Sequence, residues 1–497
     1  MKSTRSFVSI LVLVFVQQSA YSQDCDCKAS FQWVKQTFEQ NDAGFSSALA
    51  IKGRDAYRAV SDIAIKNASK RTSYPECQKI IHSWLSFFRK GHIGISFTDS
   101  VEKLVNDAYK NNLPTAPDPK LMNAQEKASF TDKDWENWKA NHKMEGFEGI
   151  WTSPPYTVGI RKINAGTYDG YVLEAPNTPW TKNQLKIRIF PTENGLRGTT
   201  YDRFYRKTDS VHIDTSYYGE NYMSIGSFSF QRIWPVPPDN TALKNDMRLA
   251  DESYKGPYIE KISDSTVYLR IISFDIKYRQ KIDSLLAANH QLITSVPNFI
   301  IDVRSNGGGA DASYEPLIPY LYTNPIRTVG VLTYSTAMNN ERLLRYAGDN
   351  NFSEPDRKQF RETYQRLSTQ LNMFVDLNDS PVTTETLSTV YTYPAHVAIL
   401  VDEYSGSTTE QFLLAARQST KTKLFGQPSF GSLDISNMNS ASSPKKEFRL
   451  SYCCSKSQRV PGLPVDGIGV QPDYYLDKTM AEYRWINYAR MVLENKQ

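Results

Sequence analysis

Val397–Gln418, VAILVDEYSGSTTEQFLLAARQ, is the stretch on which the reading of the fold turns. Val397, Ala398, Ile399, Leu400 and Val401 form an unbroken apolar run. Such a run fits a parallel strand covered on both faces. After a tight polar turn, Phe412, Leu413 and Ala416 recur at helical spacing. Ser407 falls at the junction, where the carboxyl ends of parallel strands meet helix N-termini and open α/β sheets place their sites. A plainer account fits the same residues. Ser407-Thr408-Thr409-Glu410 spells a capping box, which needs no chemistry.

Around this stretch, residues 246–497 alternate strands and helices, as an α/β core does. Ser265–Ile272 reads as a strand, Gln280–Ala288 as a helix and Asn298–Val303 as a buried strand. That strand runs into Arg304-Ser305-Asn306-Gly307-Gly308-Gly309, with a helix expected near Tyr314. Residues 338–388 form a polar, helix-leaning insertion, and Asn339–Ser380 within it suits either a lid or a surface excursion. Glu447–Tyr452 reads as a strand, Val465–Tyr475 as a turn and Met480–Glu494 as a closing helix.

Upstream, residues 146–245 change character. Tyr156-Val158-Ile160 and Leu185-Ile187-Ile189 alternate, with turn signals at Asn164-Ala165-Gly166 and Asn194-Gly195. This predicts a small antiparallel β domain, sandwich or barrel, bracketed by Trp151 and Trp234. Residues 23–145 read as a helical region and connector. Its clearest helix is Pro75–Lys90, with Cys77, Ile80, Ile81, Trp84, Leu85 and Phe88 on the buried face and Gly91 as its stop. Ile93, Ile95 and Phe97 then alternate like a strand, which leaves His92 on a turn. A short helix is expected at Asp132–Asn141.

Residues 1–22 have the form of an export signal. Lys2 and Arg5 precede the apolar Phe7–Val16, and Ala20-Tyr21-Ser22 offers a cleavage site. The apolar run is too short for a mature spanning helix, so no stable membrane anchor is expected after cleavage, and the destination is periplasmic or extracellular. Export permits disulfides among Cys25, Cys27, Cys77, Cys453 and Cys454. The odd count leaves at least one thiol over, and Cys77 can pair with Cys25 or Cys27. No histidine or second C-x-x-C stands at ligand spacing, so no metal is expected. The 497 residues carry a formal charge of only +5 with no long basic run, which gives no reason to expect a nucleic-acid partner.

A nucleophilic serine needs a base, an orienting acid and oxyanion donors. Gly307–Gly309 would reach the Ser407 edge of the sheet if both strands are parallel, and Thr408 N–H is adjacent. His92 is a candidate base and Asp466 a candidate acid. His396 lies at the wrong end of the serine's strand.

Three blocks carry a resemblance: NFIIDVRSNGGG, VAILVDEYSGSTTE and VDGIGVQPD, in this order across roughly residues 250–480. Together they resemble the tail-specific (C-terminal processing) serine protease superfamily, with weaker similarity at Arg89–Phe97. The family's serine–lysine design places a lysine in a downstream turn that here reads Phe430-Gly431-Ser432-Leu433. The chain is therefore closer to the tricorn-core and interphotoreceptor retinoid-binding branch, which uses a histidine. The resemblance implies a ClpP/crotonase-like β-α core, Ser407 as nucleophile, His92 as base, Asp466 as orienting acid, and Gly308 and Thr408 N–H groups in the oxyanion hole. It implies no cofactor, and a peptide or protein substrate. Three departures stand out. Gly91 occupies the place of a serine beside the histidine, the Asp-Gly-His-like turn reads Lys90-Gly91-His92, and the acid is Asp rather than Glu. Residues 146–245 do not read as the PDZ domain of many relatives. The retinoid-binding branch supplies the alternative reading, a non-catalytic binder of a hydrophobic ligand or peptide.

Overall fold

The structure, a computed structural model, describes residues 24–70, 72–111, 116–193, 195–215, 221–226, 228–235, 256–350, 352–378, 380–477, 480 and 482–495. The expected export signal, residues 1–22, lies outside them. The chain divides into two compact units. One comprises Met1–Phe88, Ile93–Leu113 and Asn439–Tyr452; the other comprises Arg89–His92, Pro114–Met438 and Cys453–Gln497.

The first unit packs the helices Cys27–Asn41, Phe45–Lys52, Arg54–Ala68 and Tyr74–Leu85 around buried Phe31, Phe38, Trp84 and Phe88. Trp84 meets Phe88 edge-on, with ring centroids 4.9 Å apart. Ser73 and Glu76 form a reciprocal capping box that starts the last of these helices. That helix ends at Leu85, not at Gly91 as the sequence suggested. The Ser86 hydroxyl turns back onto the His82 carbonyl at 2.8 Å, and Phe87 and Phe88 N–H groups close short turns. Cys27 and Cys77 form a disulfide. The strand Gly94–Phe97 pairs antiparallel with Phe448–Ser451, a partner that sequence order does not reveal.

In the second unit, the helix Asp132–Asn141 forms where expected, with Thr131 and Asp134 as its capping box. The β domain is a closed, eight-stranded antiparallel barrel running from Gly149–Ser153 to Phe228–Trp234. Each strand pairs with its neighbours in sequence, and the last closes on the first, with Trp151 opposite Arg232. Trp151, Val158, Ile160, Val172, Ile187, Ile189, Ile225 and Phe230 belong to its buried core.

The α/β core holds a six-stranded sheet. Its order is Tyr258–Lys261, Thr266–Arg270, Asn298–Asp302, His396–Val401, Thr422–Gly426, Tyr474–Tyr475. Only the first pairing is antiparallel. Alternate residues of His396–Val401 enter two different cores, as the unbroken apolar run predicted. Val397, Ile399 and Val401 pack with Phe412 and Leu413 on one face. Ala398 and Leu400 pack with Trp485, Ile486 and Ala489 on the other. The insertion is a helical hairpin, Ala337–Ala347 and Glu354–Ser368, rooted between the antiparallel strands Val331–Ser335 and Met373–Asp376.

The sulfurs of Cys25, Cys27 and Cys77 lie within 4.8 Å of one another. Cys27→Ser is therefore expected to yield a Cys25–Cys77 disulfide, read by non-reducing peptide mapping. Recovery of Cys77 only as an alkylatable thiol, under oxidising conditions, would contradict this placement.

Candidate active site

The strand His396–Val401 and the helix Thr408–Ala416 meet at Ser407, whose backbone sits at φ 59°, ψ −125°. A side-chain-bearing residue with positive φ in such a turn is strained, and strain of this kind collects at functional sites. Only the acidic half of the expected capping box acts on the backbone here. Ser407 N–H donates to Glu410 Oε2 at 3.1 Å, and the Ser407 hydroxyl makes no cap hydrogen bond.

The triglycine loop is laced to this turn, as the parallel pairing of Asn298–Asp302 with His396–Leu400 allows. Asn306 is the lace. Its carbonyl accepts Gly406 N–H at 3.0 Å and the Thr409 hydroxyl at 2.8 Å. Its amide oxygen accepts Phe274 N–H and Gly308 N–H. Asp402 grips the other side, accepting the Ser305 N–H and hydroxyl. Beneath the loop, Asp302 is fully buried between Arg270 and Arg304. Burial alone would raise its pKa, but the two guanidinium groups hold it far below the usual carboxylate range.

Gly308 lies against the serine. At φ +101°, an added Cβ would stand 2.8 Å from Ser407 Cβ and from Thr408 N. The Gly308 N–H, expected as an oxyanion donor, here donates to Asn306 Oδ1 at 3.0 Å. The contribution of Gly308 is the absence of a side chain. Thr408 N–H, at the first position of the helix, has no intrahelical acceptor and lies on the same face.

His92 belongs to a short segment packed on the same wall. Its φ is +54°, and Arg89 holds the bend by donating to the carbonyls of Gly91 and His92. Lys90 Nζ sits 4.1 Å from the Phe430 ring centroid. An added Cβ at Gly91 would meet Ser432 Oγ at 2.5 Å and Phe430 Cε1 at 2.6 Å, so the position leaves no room for a side chain. Phe430 in turn donates N–H to Ser405 O at 2.8 Å and packs on Gly406. The histidine segment thus reaches the serine turn through Phe430-Gly431-Ser432.

His92 Nδ1 lies 2.8 Å from the Ile435 carbonyl. Nδ1 therefore carries the proton and Nε2 keeps its lone pair. Burial pulls the imidazole pKa down, and the Ile435 carbonyl and the nearby Asp466 charge only partly restore it. Asp466, the expected orienting acid, lies close enough for its charge to act on His92. Its carboxylate accepts Leu433 N–H and Asp434 N–H at 2.6 Å each and Ile435 N–H at 3.3 Å, and no hydrogen bond joins it to His92. Nor does a hydrogen bond join His92 to Ser407; such bonds are often long without substrate and tighten in the Michaelis complex.

Glu410 is the residue whose weight the sequence reading missed. Fully buried, it accepts Ser429 Oγ at 2.5 Å, Gly431 N–H at 2.7 Å and Ser432 N–H at 2.8 Å besides Ser407 N–H. Its place in the capping box was the one available signal.

Residues 265–476 match Peptidase family S41. Over those residues the core is similar to that family, and the protein is a serine-type peptidase. No curated protein matches the chain. Among solved structures, mature CPAF complexed with lactacystin aligns over 95% of this chain and 98% of that one, at 12% identity and TM-score 0.51. This likeness is one of fold. The photosystem II D1 C-terminal processing protease (11% identity, 94% and 97% covered, TM-score 0.38) and the tricorn protease (11%, 95% and 37%, 0.40) align more loosely.

The depressed pKa of His92 sets a pH dependence. The imidazole is neutral and able to accept a proton at pH 7, and it loses that capacity as pH falls through its lowered pKa. The acid limb of kcat/KM is expected below 6.5, the ordinary histidine value. A limb centred above 6.5 would contradict the burial.

Proposed function

We propose that the chain is an exported serine peptidase that cleaves peptides or unfolded proteins through an acyl-enzyme on Ser407, with His92 as general base. The observation that carries this reading is the convergence of the strained Ser407 turn, the triglycine loop and the His92 segment on one wall. Ser407 Oγ attacks the scissile carbonyl as His92 Nε2 takes its proton. The developing oxyanion lies at the helix N-terminus, where Thr408 N–H and the positive end of the helix dipole favour it. The amide C–N bond breaks, and the leaving amine takes the proton from Nε2. Water, activated by His92 in the same way, then releases the acid. No step calls for a metal or cofactor.

Asp466 supports this site from behind the turn at Leu433–Ile435. A ClpP/crotonase-like core and a histidine base of the tricorn-core kind are part of this proposal. Among the described residues no helix is long and apolar enough to cross a membrane. Residues 1–22 and the Cys27–Cys77 disulfide support export to the periplasm or beyond. A closed barrel stands where many relatives carry a PDZ domain, so capture of a substrate's C-terminal carboxylate is not part of this reading.

A fluorophosphonate probe is expected to label Ser407. Ser407→Ala removes the label, and His92→Ala slows labelling by roughly a thousandfold or more. Labelling that persists at the wild-type rate in both variants sinks the assignment.

A further inference from the structure

The groups behind His92 are arranged in a way that the resemblance does not lead one to expect. Two segments, Leu433–Ile435 and Val465–Asp466, hold each other through crossed carboxylates. Asp434, 1% exposed, accepts Val465 N–H at 2.5 Å and Asp466 N–H at 2.8 Å. Asp466 returns the grip on the N–H groups of Leu433, Asp434 and Ile435. Each aspartate thus accepts from the other's backbone. Two carboxylates this close repel, and burial compounds the cost. Arg459 offsets it on one side only, with its guanidinium 3.3 Å from Asp434 Oδ1. The backbone between the grips is pinned again where Ser457 N–H meets Asp434 O at 2.7 Å.

The product of this lock is the position of one carbonyl. Ile435 O receives His92 Nδ1 at 2.8 Å and the Cys453 thiol at 3.4 Å. Cys453 Sγ is also 3.3 Å from His92 O, so the thiol spans the carbonyls of the base and of its partner.

We propose that the Ile435 carbonyl, rather than a carboxylate, orients His92, and that Asp434 with Arg459 is the positioning pair that holds this carbonyl in register. The inference rests on His92 being the base. A carbonyl fixes the same tautomer as an acid would, with Nδ1 protonated and Nε2 free. It brings no full negative charge against the imidazolium, so proton transfer relies on geometry. Asp466 acts on His92 through backbone, and its charge is secondary to its power to accept hydrogen bonds.

Asp466→Asn separates the two arrangements. The asparagine carbonyl oxygen can keep both 2.6 Å bonds and forfeits only the 3.3 Å one. Under the proposal kcat/KM falls by roughly tenfold, the worth of one such bond, and the acid limb stays below 6.5. Where a carboxylate orients the base directly, the same change costs on the order of ten-thousandfold. A fall of about a hundredfold or more overturns the proposal; a smaller one supports it. Asp434→Ala is expected to lower kcat by about a hundredfold with KM nearly unchanged, and a wild-type kcat in that variant also overturns it. Should Asp434→Ala fail to fold, the nearly isosteric Asp466→Asn carries the test alone. His92→Ala, measured alongside, keeps the two levels apart. If it retains probe labelling the assignment of the base fails, whereas a silent His92→Ala with a crippled Asp466→Asn leaves the base standing and removes only the carbonyl.

Discussion

The Glu410 carboxylate is the constraint on which the active-site wall depends. It holds the N–H of the nucleophile and the turn Ser429–Ser432 in one grip. That turn carries Phe430 and Ser432, against which Gly91 packs. Hydrogen bonds to a charged group are each worth about 1.5–3 kcal/mol. Burying the charge costs several kcal/mol in return, so the net stabilisation is small. What the arrangement secures is position. It also consumes Ser407 N–H, which leaves Thr408 N–H as the donor beside the nucleophile.

Backbone strain marks the same wall. Ser407 and His92 both carry positive φ, and Gly308 and Gly91 tolerate no side chain. Each strained residue costs on the order of 1–3 kcal/mol and persists only when its surroundings over-determine it. Here the surroundings are specific. Asn306 and Asp402 tie the serine turn to the triglycine loop, and the Arg89 guanidinium folds back over Gly91 and His92. A capping serine would need none of this, which is why the capping box alone does not account for Ser407.

Legibility in the sequence followed locality. The strand and helix around Ser407, and the capped helix Asp132–Asn141, were readable because their periodicity and caps are contiguous. The barrel strands were readable singly, but closure joins Phe228–Trp234 to Gly149–Ser153, far apart in the chain. The pairing of Gly94–Phe97 with Phe448–Ser451 is longer-ranged still. Within the site, the nucleophile and the base carry side-chain signals, whereas a backbone carbonyl such as that of Ile435 carries none. The position of Asp466 was legible but its backbone contacts were not, since an aspartate before Gly467 serves equally to bind an imidazole or to cap a turn. The contacts of Gly308 were hidden for a similar reason. Glycine supplies either a free N–H or a missing Cβ, and only the bond to Asn306 tells which.

The central claim is that His92, held by a backbone carbonyl, serves Ser407. It is tested most directly by a crystal structure of the protein with Ser407 phosphonylated. The account predicts His92 Nε2 within about 3.2 Å of Ser407 Oγ, with Nδ1 still on Ile435 O and Thr408 N–H on the phosphoryl oxygen. A different group at Ser407 Oγ, or His92 turned onto Asp466, would contradict it.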